Sequence, residues 1–179
     1  RVQTCVQALE AWGYKVVLGK TVGSKHYTFS GTDAQRAVDL QTMLDNPDVK
    51  AILCARGGYG LSKIIDQINF SKFIDRPKWV IGFSDITVLH AAIHQLGIAS
   101  IHGPMAAAFN KGLEGAPYIQ SEKDILEGRA THFKVGPHVS NQYGIETAPL
   151  VGGNLCLIAH LVGSKYSLDT KGKILFLED

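Results

Sequence analysis

The sequence predicts a doubly wound α/β fold built on a parallel sheet, and three observations lead there. Apolar residues alternate between helical and strand periodicity at short intervals along the 179 residues. Polar or glycine-rich turns follow the apolar strand patterns, as they do where open parallel sheets bind ligands at strand carboxyl ends. Composition is that of a globular chain, with 45% apolar, 19% charged and 8% aromatic residues. A chain of this length buries roughly 70% of its unfolded surface, enough for a core without disulfide staples.

Taken in order, Val2, Cys5, Val6, Leu9 and Trp12 share one helical face that stops at Gly13. Tyr14 to Leu18 is a short β-branched run that reads as a strand, followed by an irregular loop holding Gly19, Gly23 and Gly31. Thr32 and Gln35 form a capping box, and Ala37, Leu40, Met43 and Leu44 line a helix ended by Asn46-Pro47. Val49 to Cys54 is the next strand, with a helix expected from Leu61 to Ile68. Trp79 to Phe83 is a strongly apolar strand. After Ser84, residues Ile86, Val88, Leu89, Ala92, Ile93 and Leu96 define a helix ended by Gly97, and Ile98 to Ile101 reads as a strand. Ser121 with Asp124 predicts the cap of a short helix ending at Gly128, and residues 131–151 read as extended, turn-rich chain. Gly152-Gly153-Asn154 opens a helix through Leu161, and Lys173 to Asp179 is the final strand. The expected division is an amino-terminal α/β domain over 1–165, then a connection and the first strand of a second domain over 166–179. Because Arg1 leads straight into a helix and the last strand ends the chain, the sequence reads as a piece of a longer protein whose first strand lies upstream.

The charge balance, 18 basic against 16 acidic residues with no basic cluster, argues against a nucleic-acid or anionic-membrane binder. No run of about 18 apolar residues is present to span a membrane. Cys5, Cys54 and Cys156 are widely spaced in apolar stretches without a CxxC pair, and read as reduced core thiols. With no secretory pattern at the start, a reducing cytoplasm is expected.

Four turns after strands carry candidate chemistry: Arg56-Gly57-Gly58-Tyr59-Gly60, Gly82-Phe83-Ser84-Asp85, His102-Gly103-Pro104-Met105 and Gly152-Gly153-Asn154. Ser84 on a tight strand-to-helix turn matches a nucleophile elbow, and the Asp85 amide at the following helix start would face an oxyanion. The Gly-x-Ser-x-Gly pattern is incomplete, since Ile86 stands where its last glycine belongs. A helix N-cap without chemistry is the competing role for Ser84. The Arg56–Gly60 loop has three readings: a phosphate cradle, a donor of the Gly57 or Gly58 amide to an oxyanion, and a plain turn. The cradle lacks its third glycine, because Lys63 occupies that place. His90 and His94 lie four apart without the carboxylate of an HExxH motif, which favours a structural pair over a metal site. His102, before Gly103-Pro104, is placed to line a pocket. Glu178, at the carboxyl end of an apolar strand, is costly unless paired, functional or solvated.

Together these motifs resemble a known family. Phe29 through Asp33 with Arg36 and Asp39-Leu40, Ala55 through Gly60, Gly82 through Thr87, His102 through Met105, Gly152 through Leu155 and Ile174 through Asp179 are similar, in order, to the LD-carboxypeptidases, or muramoyltetrapeptide carboxypeptidases. The resemblance implies an amidotransferase-like or flavodoxin-like parallel-sheet amino-terminal domain joined to a smaller carboxy-terminal α/β domain, usually in a homodimer. It implies Ser84 as nucleophile, Glu178 as the carboxylate that orients a histidine, and the amides of Gly58 or Gly57 and of Asp85 as the oxyanion hole. That histidine is expected beyond Asp179. Substrate-binding candidates on the same grounds are Arg56, for a terminal carboxylate, with Tyr59, His102 and Asn154. The implied reaction releases the terminal D-alanine of a cytoplasmic murein tetrapeptide through an acyl-enzyme, with no metal or other cofactor and no membrane or nucleic-acid partner. Two alternatives stand beside it: a related serine peptidase acting on peptidyl-nucleotide toxins of the microcin type, and a non-catalytic nucleotide- or ligand-binding module using the glycine-rich loop.

Overall fold

A computed structural model describes residues 2–112 and 115–179. Helix α1 (Gln3–Ala11) is followed by α2 (Asp33–Asp45), β1 (Ala51–Leu53), α3 (Ser71–Asp75), β2 (Trp79–Gly82), α4 (Thr87–Gln95) and β3 (Ile101–His102). Then come α5 (Ala116–Leu126), β4 (Leu150–Asn154), α6 (Leu155–Leu161) and β5 (Ile174–Glu178). Among the described residues, 3₁₀ turns lie at Ile65–Gln67, Ser84–Ile86 and Ala106–Asn110.

Two parallel sheets organise the chain. The first has the order β1-β2-β3, with Leu53 opposite Ile81 and Gly82 opposite His102. The second pairs β4 with β5, from Leu150 opposite Ile174 to Asn154 opposite Glu178. The expected α/β class with a parallel sheet is the observed one. Helix α4 joins the two sheets, since it packs against β3, β4 and α6. Its residues from Thr87 to Ile93 are all buried, which is why its sequence is apolar on every side rather than striped. Phe73, Val80, Leu89 and Ile93 form the centre of the main core. A second cluster of Cys5, Ala106 and Phe109 sits under α1. Among the described residues no helix is long and apolar enough to cross a membrane.

The capping box of α2 forms as expected: Thr32 Oγ1 accepts the Gln35 N–H, and Gln35 Oε1 accepts the Thr32 N–H. Other expectations fail for identifiable reasons. Tyr14 to Leu18 is irregular chain, not a strand, because no described strand pairs with it and Val17 and Leu18 stay exposed. The helix expected over Leu61 to Ile68 shrinks to the single 3₁₀ turn. Gln41 on α2 holds both the N–H and the carbonyl of Asn69 at 2.8 Å and draws the chain away. Ser121 lies inside α5 rather than at its cap, because that helix starts earlier with a proline in its first turn. The strand over Ile98 to Ile101 pairs only at Ile101–His102. Gly152 and Gly153 lie within β4 rather than opening a helix, and it is Asn154, at the end of β4, that caps α6. All three thiols are free as expected, yet Cys156 is exposed, near Asp179 Oδ1 at 3.7 Å, and is no core residue.

Candidate active site

The carboxyl ends of β2, β3, β4 and β5 bring Ser84, His102, Asn154 and Glu178 to one edge of the molecule, and the Arg56–Gly60 loop follows β1 at the same edge. Phe83 continues β2 in extended geometry, and Ser84 then turns with φ +61° before α4 begins. Among the described residues only Ser84 and Tyr27 are non-glycine with positive φ. Such geometry costs on the order of 1 kcal/mol or more and clusters where function requires it. A Cβ placed at Gly57 would stand 3.1 Å from Ser84 Cβ and 3.4 Å from Ser84 Oγ, so the glycine lets the loop backbone lie alongside the hydroxyl. The amides of Gly57, Gly58 and Asp85 donate to no acceptor among the described residues. Donors fixed this way suit an oxygen that gains negative charge.

The glycine-rich loop is held from two sides. Asp85 is buried, and its Oδ2 accepts the Leu61 N–H at 3.1 Å. Burial pushes the Asp85 carboxyl above its ordinary pKa, while the N–H groups of Leu61 and Gly60 and the charge of Arg36 oppose that rise. Arg36 Nη1 donates to the Gly60 carbonyl at 3.1 Å, and Nη2 pairs with Asp33 at 2.5 Å. Sequence reasoning credited Asp85 with its backbone amide and missed this side-chain anchor; Arg36 lay inside a quoted motif without a role. Arg56 is exposed and folds back on its own loop, with Nε donating to the Gly57 carbonyl at 3.2 Å. Tyr59 is largely exposed.

Beneath the elbow, His90 Nε2–H donates to the Gly82 carbonyl at 2.9 Å, which fixes the tautomer because a carbonyl only accepts. Burial lowers the His90 pKa to about 4, so the ring is neutral, and its Nδ1 is buried without a hydrogen-bond partner among the described residues. His94 faces elsewhere: Lys173 Nζ donates to its Nε2 at 3.2 Å. Burial and the Lys173 charge both lower its pKa. The two histidines therefore have separate partners.

His102 is exposed on its outer side and packs its ring edge-on to Phe176 at 5.0 Å, with Phe83 at 6.1 Å and His90 at 6.2 Å. Partial burial lowers its pKa, and the negative charge of Glu178 opposes that drop. Glu178 is half-buried, with Oε1 enclosed and without a hydrogen-bond partner among the described residues. Across the strand pair, Asn154 Oδ1 accepts the Leu157 N–H at 3.2 Å as the cap of α6. The Asn154 N–H donates to Thr87 Oγ1 at 3.0 Å. Thr87 thus ties the β4–β5 sheet to the start of α4, three residues after Ser84. Nothing in the spacing of Thr87 announced that role, because its partner is 67 residues away.

A strained serine, a set of free amides and a carboxylate at the carboxyl end of a strand are elements of acyl transfer at a carbonyl. Comparison with known proteins gives the family. Residues 1–103 match the LD-carboxypeptidase N-terminal domain and residues 147–179 the LD-carboxypeptidase C-terminal domain. The chain belongs to the LD-carboxypeptidase family. It is 37% identical over 184 residues to the probable murein peptide carboxypeptidase of Bacillus subtilis, covering 100% of this chain and 57% of that protein. The muramoyltetrapeptide carboxypeptidase of Oxalobacter formigenes superposes with a TM-score of 0.82 at 29% identity, over 99% of this chain and 60% of that one. The microcin C7 self-immunity protein MccF, in complex with aspartyl sulfamoyl adenosine, superposes with a TM-score of 0.84 at 24% identity, over 99% and 62%. That last likeness concerns the fold. The chain spans about three fifths of the length of these relatives.

Proposed function

We propose that the protein to which this chain belongs is a serine-type LD-carboxypeptidase that releases the terminal D-alanine of murein tetrapeptides during cytoplasmic peptidoglycan recycling, as a homodimer. The observation that carries the reading is the Ser84 elbow, with φ +61° and the Gly57 backbone against its hydroxyl.

In this reading Ser84 Oγ attacks the carbonyl of the diamino acid while a histidine, contributed from outside the 179 residues, accepts its proton. The Gly57 or Gly58 and Asp85 amides hold the oxyanion. Collapse of the tetrahedral intermediate breaks the peptide bond, the histidine protonates the departing D-alanine amine, and a water then cleaves the acyl-serine. Glu178 orients and charges the histidine, and its enclosed Oε1, without a partner among the described residues, supports that role. His90 acts from below by holding the Gly82 carbonyl, and Asp85 and Arg36 keep the oxyanion loop in place.

The test is D-alanine release from an L,D-tetrapeptide by the full-length protein. Ser84→Ala is predicted to lower kcat about 10⁴-fold or more. Release that survives the substitution, or the absence of release by the wild type, refutes the assignment.

A further inference from the structure

Beside the oxyanion loop lies a cavity of about 460 Å³ whose wall includes His26, Tyr27, Phe29, Thr32, Asp33 and Lys63. No step of the reaction above uses it, its Lys63 is exposed, and three features of its wall bear on what it could bind. First, the turn from His26 to Phe29 is closed by two backbone hydrogen bonds of 2.8 and 2.9 Å, and it holds Tyr27 at φ +54° with the residue 85% exposed. Tyr27 is the second strained non-glycine residue, and burial of its ring does not offset that strain. Second, Lys63 Nζ lies 5.1 Å from the Phe29 ring centroid and 5.4 Å from that of Tyr59, and forms no ion pair among the described residues. Two rings thus hold a cation that has no acid of its own. Third, the acid on the same wall, Asp33, is engaged by Arg36 at 2.5 Å and is not the counter-ion of Lys63.

The cavity adjoins the elbow's loop, for a Cβ at Gly60 would stand 2.8 Å from the Phe29 ring on the cavity wall. Tyr59 is two residues from Gly57, a span of at most about 7 Å, and Gly57 lies against Ser84. A peptide with its scissile carbonyl at Ser84 would reach the cavity with the rest of its length.

We infer that this cavity is a carboxylate subsite for the peptide ligand, with Lys63 meeting the free carboxyl of the glutamyl residue of the stem and the Tyr27 and Tyr59 rings covering the adjoining aliphatic chain. The assignment rests on the proposed murein-peptide substrate and names a specificity residue for it.

The experiment measures binding by calorimetry in the full-length protein carrying Ser84→Ala, so that no turnover is needed. The probes are the tripeptide left after D-alanine release, the same peptide with its glutamyl carboxyl as a carboxamide, and the same peptide with its C-terminal carboxyl as a carboxamide. Amidating the glutamyl carboxyl is expected to weaken binding about tenfold, as loss of one charge-assisted contact does. Adding Lys63→Gln should abolish that discrimination, and Lys63→Arg should restore it. If Lys63→Gln keeps the wild-type ratio between free and amidated glutamyl peptides, or removes discrimination only at the C-terminal carboxyl, the assignment is overturned. D-alanine release is scored separately on the full-length wild type. Lys63-dependent discrimination without release sinks the carboxypeptidase reading and leaves the subsite standing, while release without that dependence does the reverse.

Discussion

Glu122 offers a test of the packing around α5 that depends on no catalytic assumption. It is 2% exposed, neither carboxylate oxygen has a hydrogen-bond partner among the described residues, and it lies near enough to Cys5 for its charge to help raise that thiol. Burial pushes its pKa from 4.5 up to about 8. The folded state therefore keeps a proton that the unfolded chain gives up above about pH 4.5. The stability this provides is complete below that pH, declines as pH rises, and is gone above about pH 8. At 1.36 kcal/mol per pH unit, the interval of about 3.5 units sets an upper bound of about 5 kcal/mol. Partial hydration of the ionised carboxylate brings the expected loss to about 2–3 kcal/mol. The measurement is urea unfolding of the full-length protein at pH 5, 6.5 and 8, beside Glu122→Gln. The substitution keeps the shape and removes the titration, so the variant should lose that decline. Parallel pH profiles for the two proteins would refute the argument.

Two further outcomes follow from the core and the second sheet. His90, held to a pKa of about 4 by burial, gives a slope of opposite sign. The unfolded chain takes up a proton below about pH 6.5 that the folded ring refuses, so stability is full above 6.5 and falls by up to about 3 kcal/mol towards pH 4. His90→Gln keeps a donor for the Gly82 carbonyl and should flatten the acid limb of the urea midpoint; an unchanged acid limb would contradict this. Gly152→Ala would place a Cβ 1.8 Å from the Phe176 carbonyl oxygen at φ +145°, which forces β4 and β5 apart. A loss of about 3–5 kcal/mol in chemical denaturation is expected, and a loss below about 1 kcal/mol would show that the strands do not pair as described.

Much of the local geometry of the candidate site was legible because its signals are local. A serine between an apolar strand and an apolar helix, and a glycine-rich turn after another strand, announce themselves within a few residues. The capping box at Thr32 and Gln35 is equally local and formed as read. What escaped is what depends on distant partners. Asp85 reaches Leu61 across 24 residues, Thr87 reaches Asn154 across 67, and Gln41 reaches Asn69 across 28. The run from Tyr14 to Leu18 has strand propensity, yet propensity makes a strand only where a neighbour pairs with it. The overlooked start of α5 is a different case, since Pro117 in its first turn was a local signal that a capping pattern at Ser121 displaced.

The central claim is that Ser84 forms a covalent bond with the acyl part of a murein peptide, and the most direct test is to look for that bond. Full-length protein is mixed with an L,D-tetrapeptide, quenched in acid within the first turnover, digested and mapped by mass spectrometry. The account predicts free D-alanine together with the tripeptide acyl group, added with loss of one water, on the fragment that contains Ser84 and absent from Ser84→Ala. D-alanine release with the acyl group on another residue, or undiminished release from Ser84→Ala, would contradict it.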